Sequence, residues 1–87
     1  MADTFLYLSD PGHGWLAVTF TDMIELGLKP DDFSQYSYRH GDVAYLEEDC
    51  DAAVFVNAYT QVKGERPKFR EVHTDSDSIV RTYKRIK

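Results

Sequence analysis

The sequence predicts an α+β fold in which strands and two helices follow one another along a single small domain, residues 1–87. Short runs rich in tyrosine and β-branched residues alternate with glycine and proline turns, and two longer stretches have helical spacing. A chain of 87 residues is also too short for a second core. We expect the order β-β-α-β-β-α-β-β, with a mainly antiparallel sheet and both helices on one face.

The first strand-turn-strand-helix unit is predicted at residues 4–28. Its two strands, at 4–8 and 15–18, are separated by a turn rich in glycine and proline. Either Thr19 or Thr21 provides the hydroxyl that caps the following helix.

The second strand-turn-strand-helix unit is predicted at residues 35–63. The pair His40-Gly41 lies between two strand-like runs, and Gly41 accepts the positive φ that a two-residue hairpin turn needs. Asp49 is the expected N-cap of the second helix, and Gly64 is its expected left-handed stop. The apolar stripe of this helix consists of Val54, Phe55, Ala58 and Val62.

The last part of the chain is predicted to form a C-terminal hairpin, residues 67–86. Its strands, at 68–73 and 79–86, flank a polar turn at 74–78. Lysine and arginine on the final strand are typical of a sheet edge, where they prevent aggregation.

An internal echo links the two units. Residues 13–17 and 40–44 share the pattern His-Gly-x-x-Ala, each ahead of a predicted helix. A true repeat and equal turn chemistry both explain it, and the sequence leaves the choice open.

Charge is unevenly distributed along the chain. Residues 1–62 hold eleven acids and two bases, whereas residues 63–87 hold eight bases and four acids, giving the net charge of −5. Either the basic end lies beside the acidic part and offsets it, or the molecule presents an acidic face to a basic partner.

The compartment is expected to be the cytoplasm. No apolar run is long enough to span a bilayer, and no secretory signal pattern stands at the start. Cys50 is the only cysteine, so no disulfide forms within the chain, as is typical of reducing compartments.

The stretches at 14–18, 36–38, 41–52 and 78–83 resemble small uncharacterised proteins carried by bacteriophages, prophages and plasmids. The resemblance covers most of the chain and brings no catalytic residues with it. It implies a setting, because mobile elements often encode small acidic proteins, including anti-CRISPR proteins, that bind and block host machinery.

Enzymatic and metal-binding motifs are missing from the sequence. His13, His40, His73 and Cys50 are all possible ligands, but none stands at a recognised ligand spacing, and no phosphate-binding glycine loop is present. We therefore expect no enzymatic activity, no metal and no cofactor, with Cys50 as a packing residue.

The predicted function is a protein-interaction module that inhibits a host nucleic-acid-handling complex by occlusion. Its partner is expected to have a basic surface. Helix capping accounts well for Asp49 and Asp51 in the acidic run after residue 46, and less well for Glu47 and Glu48, which precede the expected cap. The candidate contact residues are Asp31, Asp32, Tyr36, Tyr38, Asp42, Glu47 and Glu48.

The alternative function is nucleic-acid binding by the basic C-terminal hairpin. Aromatic residues interleaved with bases on a sheet can stack on nucleobases and neutralise phosphates, although the net charge opposes this. The candidate residues are Arg66, Lys68, Arg70, Arg81, Lys84 and Arg85.

Overall fold

The computed structural model describes residues 3–87 and contains six strands and two α-helices. The strands are β1 (Thr4–Ser9), β2 (Gly14–Thr19), β3 (Tyr38–His40), β4 (Val43–Glu47), β5 (Lys68–His73) and β6 (Lys84–Arg85). The helices are α1 (Phe20–Glu25) and α2 (Asp51–Lys63), and 3₁₀ turns lie at Pro30–Asp32 and Ile79–Thr82. The predicted α+β fold in one small domain is confirmed.

All six strands form one sheet in the order β5-β1-β2-β4-β3-β6. The hairpins β1-β2 and β3-β4 meet through antiparallel pairing of β2 with β4. β6 also pairs antiparallel, with β3, whereas β5 runs parallel to β1. The sheet is therefore mixed and mainly antiparallel.

The predicted C-terminal hairpin at 67–86 is wrong. β5 and β6 lie at opposite edges of the sheet, and the segment between them, residues 74–83, crosses one sheet face. We call this segment the strap. Within it, the predicted strand 79–86 is a 3₁₀ turn followed by the two-residue β6, because Val80 is fully buried and Asp10 accepts hydrogen bonds from Ser78 and Arg81.

Helix α1 begins as one of the two threonine alternatives predicts. Thr19 is the N-cap: its hydroxyl accepts the N–H of Asp22 at 3.0 Å, and the Asp22 carboxylate accepts the N–H of Thr19 at 3.3 Å. This reciprocal pair is a capping box, which satisfies two backbone donors at the helix start.

Helix α2 begins differently from the prediction. The N-cap is Cys50, and no side-chain hydrogen bond comes from it. The Glu47 carboxylate instead accepts the N–H groups of Asp49 and Cys50, at 3.0 and 3.1 Å. Asp49 therefore does not cap the helix, whereas Gly64 ends it with φ of +79°, as predicted.

The β3-β4 turn is shifted by one residue from its predicted position. His40 pairs with Val43, so Gly41 and Asp42 form the turn, and Gly41 has φ of +57°. A residue with a side chain would be strained there, which explains the glycine.

The core lies between the sheet and the helices. The Phe5 ring meets the rings of Phe55 and Tyr59 edge-on, with centroids 5.2 and 5.7 Å apart. Phe55 belongs to the predicted apolar stripe of α2, but Val62 is 59% exposed and Tyr59 is buried in its place. The cluster comprises Phe5, Leu16, Val18, Met23, Phe33, Ala44, Leu46, Phe55, Tyr59 and Ile86.

The strap covers part of the opposite face of the sheet, at Trp15 of β2 and His40 of β3. Trp15 is only 2% exposed there, and the Arg81 guanidinium lies over its ring at 5.4 Å. Tyr83 stacks on His40, with ring centroids 4.3 Å apart. The strap thus closes a second, smaller aromatic layer.

The internal echo is not a structural repeat. Leu16 pairs with Leu46 and is buried in the core with it. Val43, which the echo matches to Leu16, lies three residues before Leu46 and therefore points to the other face. The shared glycines also have different roles, because Gly41 has a positive φ in the β3-β4 turn whereas Gly14 is the first residue of β2 and does not.

Candidate protein-interaction site

Tyr7 is the central residue of the candidate site, and the position of its ring depends on Gly14. The Tyr7 ring lies across the neighbouring strand where Gly14 has no side chain, and a Cβ at Gly14 would collide with the Tyr7 hydroxyl. That hydroxyl donates a hydrogen bond to the Glu48 carboxylate. Gly14 is thus required for space.

Three carboxylates surround the Tyr7 hydroxyl. Burial, the hydrogen bond to Glu48 and the charges of Glu48, Glu71 and Asp49 together raise the pKa of Tyr7 far above its ordinary value. The hydroxyl therefore stays protonated, and as the hydrogen-bond donor it holds the Glu48 carboxylate in place. We call Glu48, Asp49 and Glu71 the acidic cluster.

A groove of about 670 Å³ runs between α2 and β5, with Tyr7 and Leu16 on its floor. The aromatic side chains of α2 point toward Phe5, whereas none of the α2 residues that line the groove is buried. Phe69, on the β5 side, is 44% exposed. The remaining lining residues are Glu48, Ala52, Ala53, Val56, Asn57, Arg66 and Glu71.

The groove has different charges at its two ends. Glu48 and Glu71 lie near the start of α2, where the groove adjoins a smaller cleft that also contains His73. Arg66 lies toward the middle of α2, where it shares a second depression with Asn57 and Thr60. An extended segment lying in the groove would meet carboxylates at one end and a guanidinium at the other.

The predicted acidic patch is not assembled as expected. Glu47 is 8% exposed and caps the start of α2, so it is a structural residue. Asp42 lies in the turn at the far end of β4, about 16 Å from Glu47 along the strand. Only Glu48 enters the acidic cluster.

The remaining predicted contact residues lie elsewhere. Asp31 and Asp32 are exposed in the first 3₁₀ turn, and Asp32 accepts the N–H of Lys29 at 2.8 Å. Tyr36 and Tyr38 line a second cleft of about 420 Å³ on the strap side, together with Trp15, Cys50 and Arg85. Cys50 is exposed, so its predicted packing role is wrong.

The basic residues of the alternative function are also separated. Arg81 is bound to the buried Asp10 through Nε at 2.7 Å and Nη2 at 2.9 Å, so it holds the strap. Lys68 and Arg70 lie at one sheet edge and Lys84 and Arg85 at the other, roughly 24 Å apart across six strands. Arg66 lies in the groove.

One arrangement has the residue types of a hydrolytic triad. Ser9 Oγ lies 2.8 Å from a Glu71 oxygen and 2.8 Å from His73 Nδ1. A hydroxyl has one proton and an ionised carboxylate only accepts, so Ser9 donates to Glu71 and His73 donates to Ser9. A nucleophilic serine needs a histidine that accepts. These hydrogen bonds hold β5 against β1 and do not activate Ser9 as a nucleophile.

One group of side chains could approach a metal ion. Ligand atoms of His13, Glu48 and Asp49 all lie within 4.8 Å of one another, and the three residues are exposed. An imidazole with two carboxylates is a donor set for a divalent cation. The sequence shows no ligand spacing because His13 comes from the β1-β2 turn and the carboxylates come from the segment before α2.

No family model, curated protein or solved structure matches this chain. Within residues 3–87, no helix combines the length and the apolar composition needed to cross a membrane. The resemblance to proteins of mobile elements stays a prediction.

Sequence reasoning did not identify Tyr7 or Glu71 as site residues. Neither is near Glu48 in the sequence, and they come together only because β1 lies between β2 and β5. The one local signal is the alternation in the predicted strand 68–73, which puts Glu71 on the same face as Phe69.

Proposed function

We propose that this protein is a binding module for another protein, acting in the bacterial cytoplasm, and not an enzyme. The observation that carries the proposal is the open groove between α2 and β5, which is apolar along its floor and has the acidic cluster at one end. Exposed apolar surface with a charged rim is typical of interaction sites.

The chemistry of the groove favours a partner that inserts a lysine or arginine next to an apolar side chain. Tyr7 holds the Glu48 carboxylate in place, so little side-chain entropy is lost when a cation binds there. Phe69 and Val56 supply apolar contact area. The charges would govern association rate and salt dependence, and the apolar contacts would govern residence time.

The resemblance to small proteins of bacteriophages, prophages and plasmids indicates the biological setting in which this module acts. An acidic surface of this kind could occupy the lysine- and arginine-lined groove of a host nucleic-acid-handling complex, and so block phosphate binding by occlusion. The net charge of −5 supports this direction of binding.

Photo-crosslinking from the groove tests the proposal. A photoreactive residue at Ala53, which is exposed in the groove, should crosslink one host protein specifically. The matched control is the same residue at Ile24, which is 70% exposed on α1. Equal crosslinking from both positions would count against the groove.

Charge reversal then tests the acidic cluster. Asp49→Lys should slow association with the crosslinked partner and flatten its salt dependence. Asp42→Lys makes the same charge change at the far end of β4 and should have a smaller effect. Among residues 3–87, no side-chain hydrogen bond or ion pair holds either carboxylate, so both variants should fold. Equal effects would contradict the role of the cluster.

A further inference from the structure

β5 is an edge strand, so the backbone groups on its outer side have no neighbouring strand among residues 3–87. The N–H groups of Lys68 and Thr74 donate to Asp3 and Ser9, both at 2.9 Å. Backbone groups alternate in direction along a strand, so even-numbered residues of β5 face β1. The N–H and C=O groups of Phe69, Glu71 and His73 therefore point away from the sheet, at its edge.

The side chains of β5 are equally accessible. All six residues are exposed, so neither face of the strand is covered. Phe69, Glu71 and His73 point to the groove side, and the alternate residues Arg70 and Val72 point to the strap side. A six-residue edge strand with both faces open is long enough to pair with another strand.

We infer that the partner of the proposed function binds by adding an antiparallel strand to the free edge of β5. This inference rests on the proposed function and specifies how its partner is held. β6, at the other edge, has only two residues and offers too few backbone groups. Antiparallel pairing is favoured because it is the more stable geometry per residue.

A second copy of this chain does not fit the edge as well as a different partner. In an antiparallel pair with twofold symmetry, a residue lies opposite its own counterpart. The two registers that use most of β5 place Arg70 opposite Arg70 or Glu71 opposite Glu71. Like charges directly opposite each other destabilise a sheet, so self-pairing is disfavoured.

Charge complementarity defines the partner strand. On the groove side it needs a basic residue opposite Glu71 and an apolar residue opposite Phe69. On the strap side it needs an acidic residue opposite Arg70 and an apolar residue opposite Val72. The basic residue would then lie beside the acidic cluster.

Side-chain hydrogen bonds hold the edge strand β5 on β1. Ser9 holds the side chains of both Glu71 and His73 at 2.8 Å, which fixes β5 on β1. A fixed template reduces the entropy lost when a strand is added.

A capped synthetic peptide of sequence Thr-Val-Lys-Glu-Val-Glu tests the inference, because it places these residues opposite β5 from His73 back to Lys68. Binding should slow amide hydrogen exchange at Phe69, Glu71 and His73, measured by NMR, by about tenfold or more at saturation. The amides of Arg70 and Val72, already bonded to β1, should change little.

N-methylation of the peptide provides the matched control. The N–H of the peptide lysine would face β5, whereas the N–H of the following glutamate would face away. Methylating the lysine amide should abolish binding, and methylating the glutamate amide should preserve it. Equal binding of both peptides, unchanged exchange at the three outer amides, or no binding at about 1 mM would each overturn strand addition.

A charge swap fixes the register. Arg70→Glu should weaken binding by about two- to fivefold, and replacing the peptide glutamate opposite it with arginine should restore binding. Failure to restore would contradict the register. Crosslinking from Ala53 is an independent readout. The groove proposal can therefore hold when strand addition fails, and strand addition can be detected when crosslinking fails.

Discussion

At the scale of single residues, two side chains that sequence patterns did not single out organise the molecule. Asp10 accepts hydrogen bonds from the N–H groups of Gly12, His13 and Ser78 and from the Arg81 guanidinium. It joins the β1-β2 turn to the strap. Tyr7 does the same for β1 and the segment before α2, through Glu48.

Gly14→Ala should destabilise the protein by about 1–3 kcal/mol, because the added methyl group displaces the Tyr7 ring. Urea unfolding followed by circular dichroism measures the change. In a Tyr7→Leu background the same substitution should have a much smaller effect, since the colliding hydroxyl is gone. An equal loss in both backgrounds would mean that Tyr7 is not the cause.

The second residue-scale prediction concerns acid. The Arg81 side chain, followed by the N–H of Ser78, holds the pKa of Asp10 far below its ordinary value. A carboxyl whose pKa is lowered in the folded state stabilises the fold at pH values above its unfolded pKa of about 3.9, and this stabilisation is lost as pH falls toward the folded pKa. The gap in melting temperature between wild type and Asp10→Asn should stay constant from about pH 7 to 5 and narrow below about pH 4.

The control for this prediction is Asp42→Asn. Asp42 is exposed in the β3-β4 turn, so the substitution should change the melting temperature little across the same range. If the difference in melting temperature between wild type and Asp10→Asn widened as pH fell, the predicted direction of the pH dependence would be wrong.

At the scale of elements, α2 shows how packing chose among apolar residues. Phe55 and Tyr59, one turn apart, both contact Phe5, whereas Val62 lies beyond the edge of the core and is 59% exposed. The helix is anchored by aromatic rings in its middle, and its last turn adds little apolar burial.

Phe55→Ala should lower the free energy of unfolding by about 3–5 kcal/mol, because it leaves a cavity against Phe5. Val62→Ala should change it by less than about 0.5 kcal/mol, since the side chain is already largely in water. Chemical denaturation of both variants checks the pair. A large loss for Val62→Ala would mean that the last turn is buried.

At the scale of the whole molecule, the strap connects the two edges of the sheet across one face. It starts after β5, covers Trp15 and ends in β6 beside β3. Because Arg81 binds both Asp10 and the Trp15 ring, the strap is part of the fold and not a free basic arm.

Arg81→Ala should therefore loosen the strap, lower the melting temperature and shift Trp15 fluorescence to longer wavelength as water reaches the indole. Arg85→Ala is the matched control: Arg85 is exposed and stacks on Tyr38 at 4.7 Å, so its loss should leave Trp15 buried. If both variants show the same fluorescence shift, the strap does not depend on the pairing with Asp10.

How much of the structure can be predicted from the sequence also depends on the scale. A threonine cap at Thr19 or Thr21, the left-handed stop at Gly64 and the strand character of residues 4–8 and 68–73 were all predictable, because each depends on neighbours within a few positions. The α+β class followed from the same local patterns. Glu48 was the one proposed contact residue that the structure places in the acidic cluster.

The pairing of distant segments was decided only by the tertiary structure. Nothing local shows that β5 pairs in parallel with β1, that Arg81 binds Asp10 across 71 positions, or that Tyr7 reaches Glu48 across 41. A sequence does not show which charged side chains will be paired or which strands will lie at a sheet edge, because both depend on the strand order. That order results from burying the apolar faces together, which is a property of the whole chain.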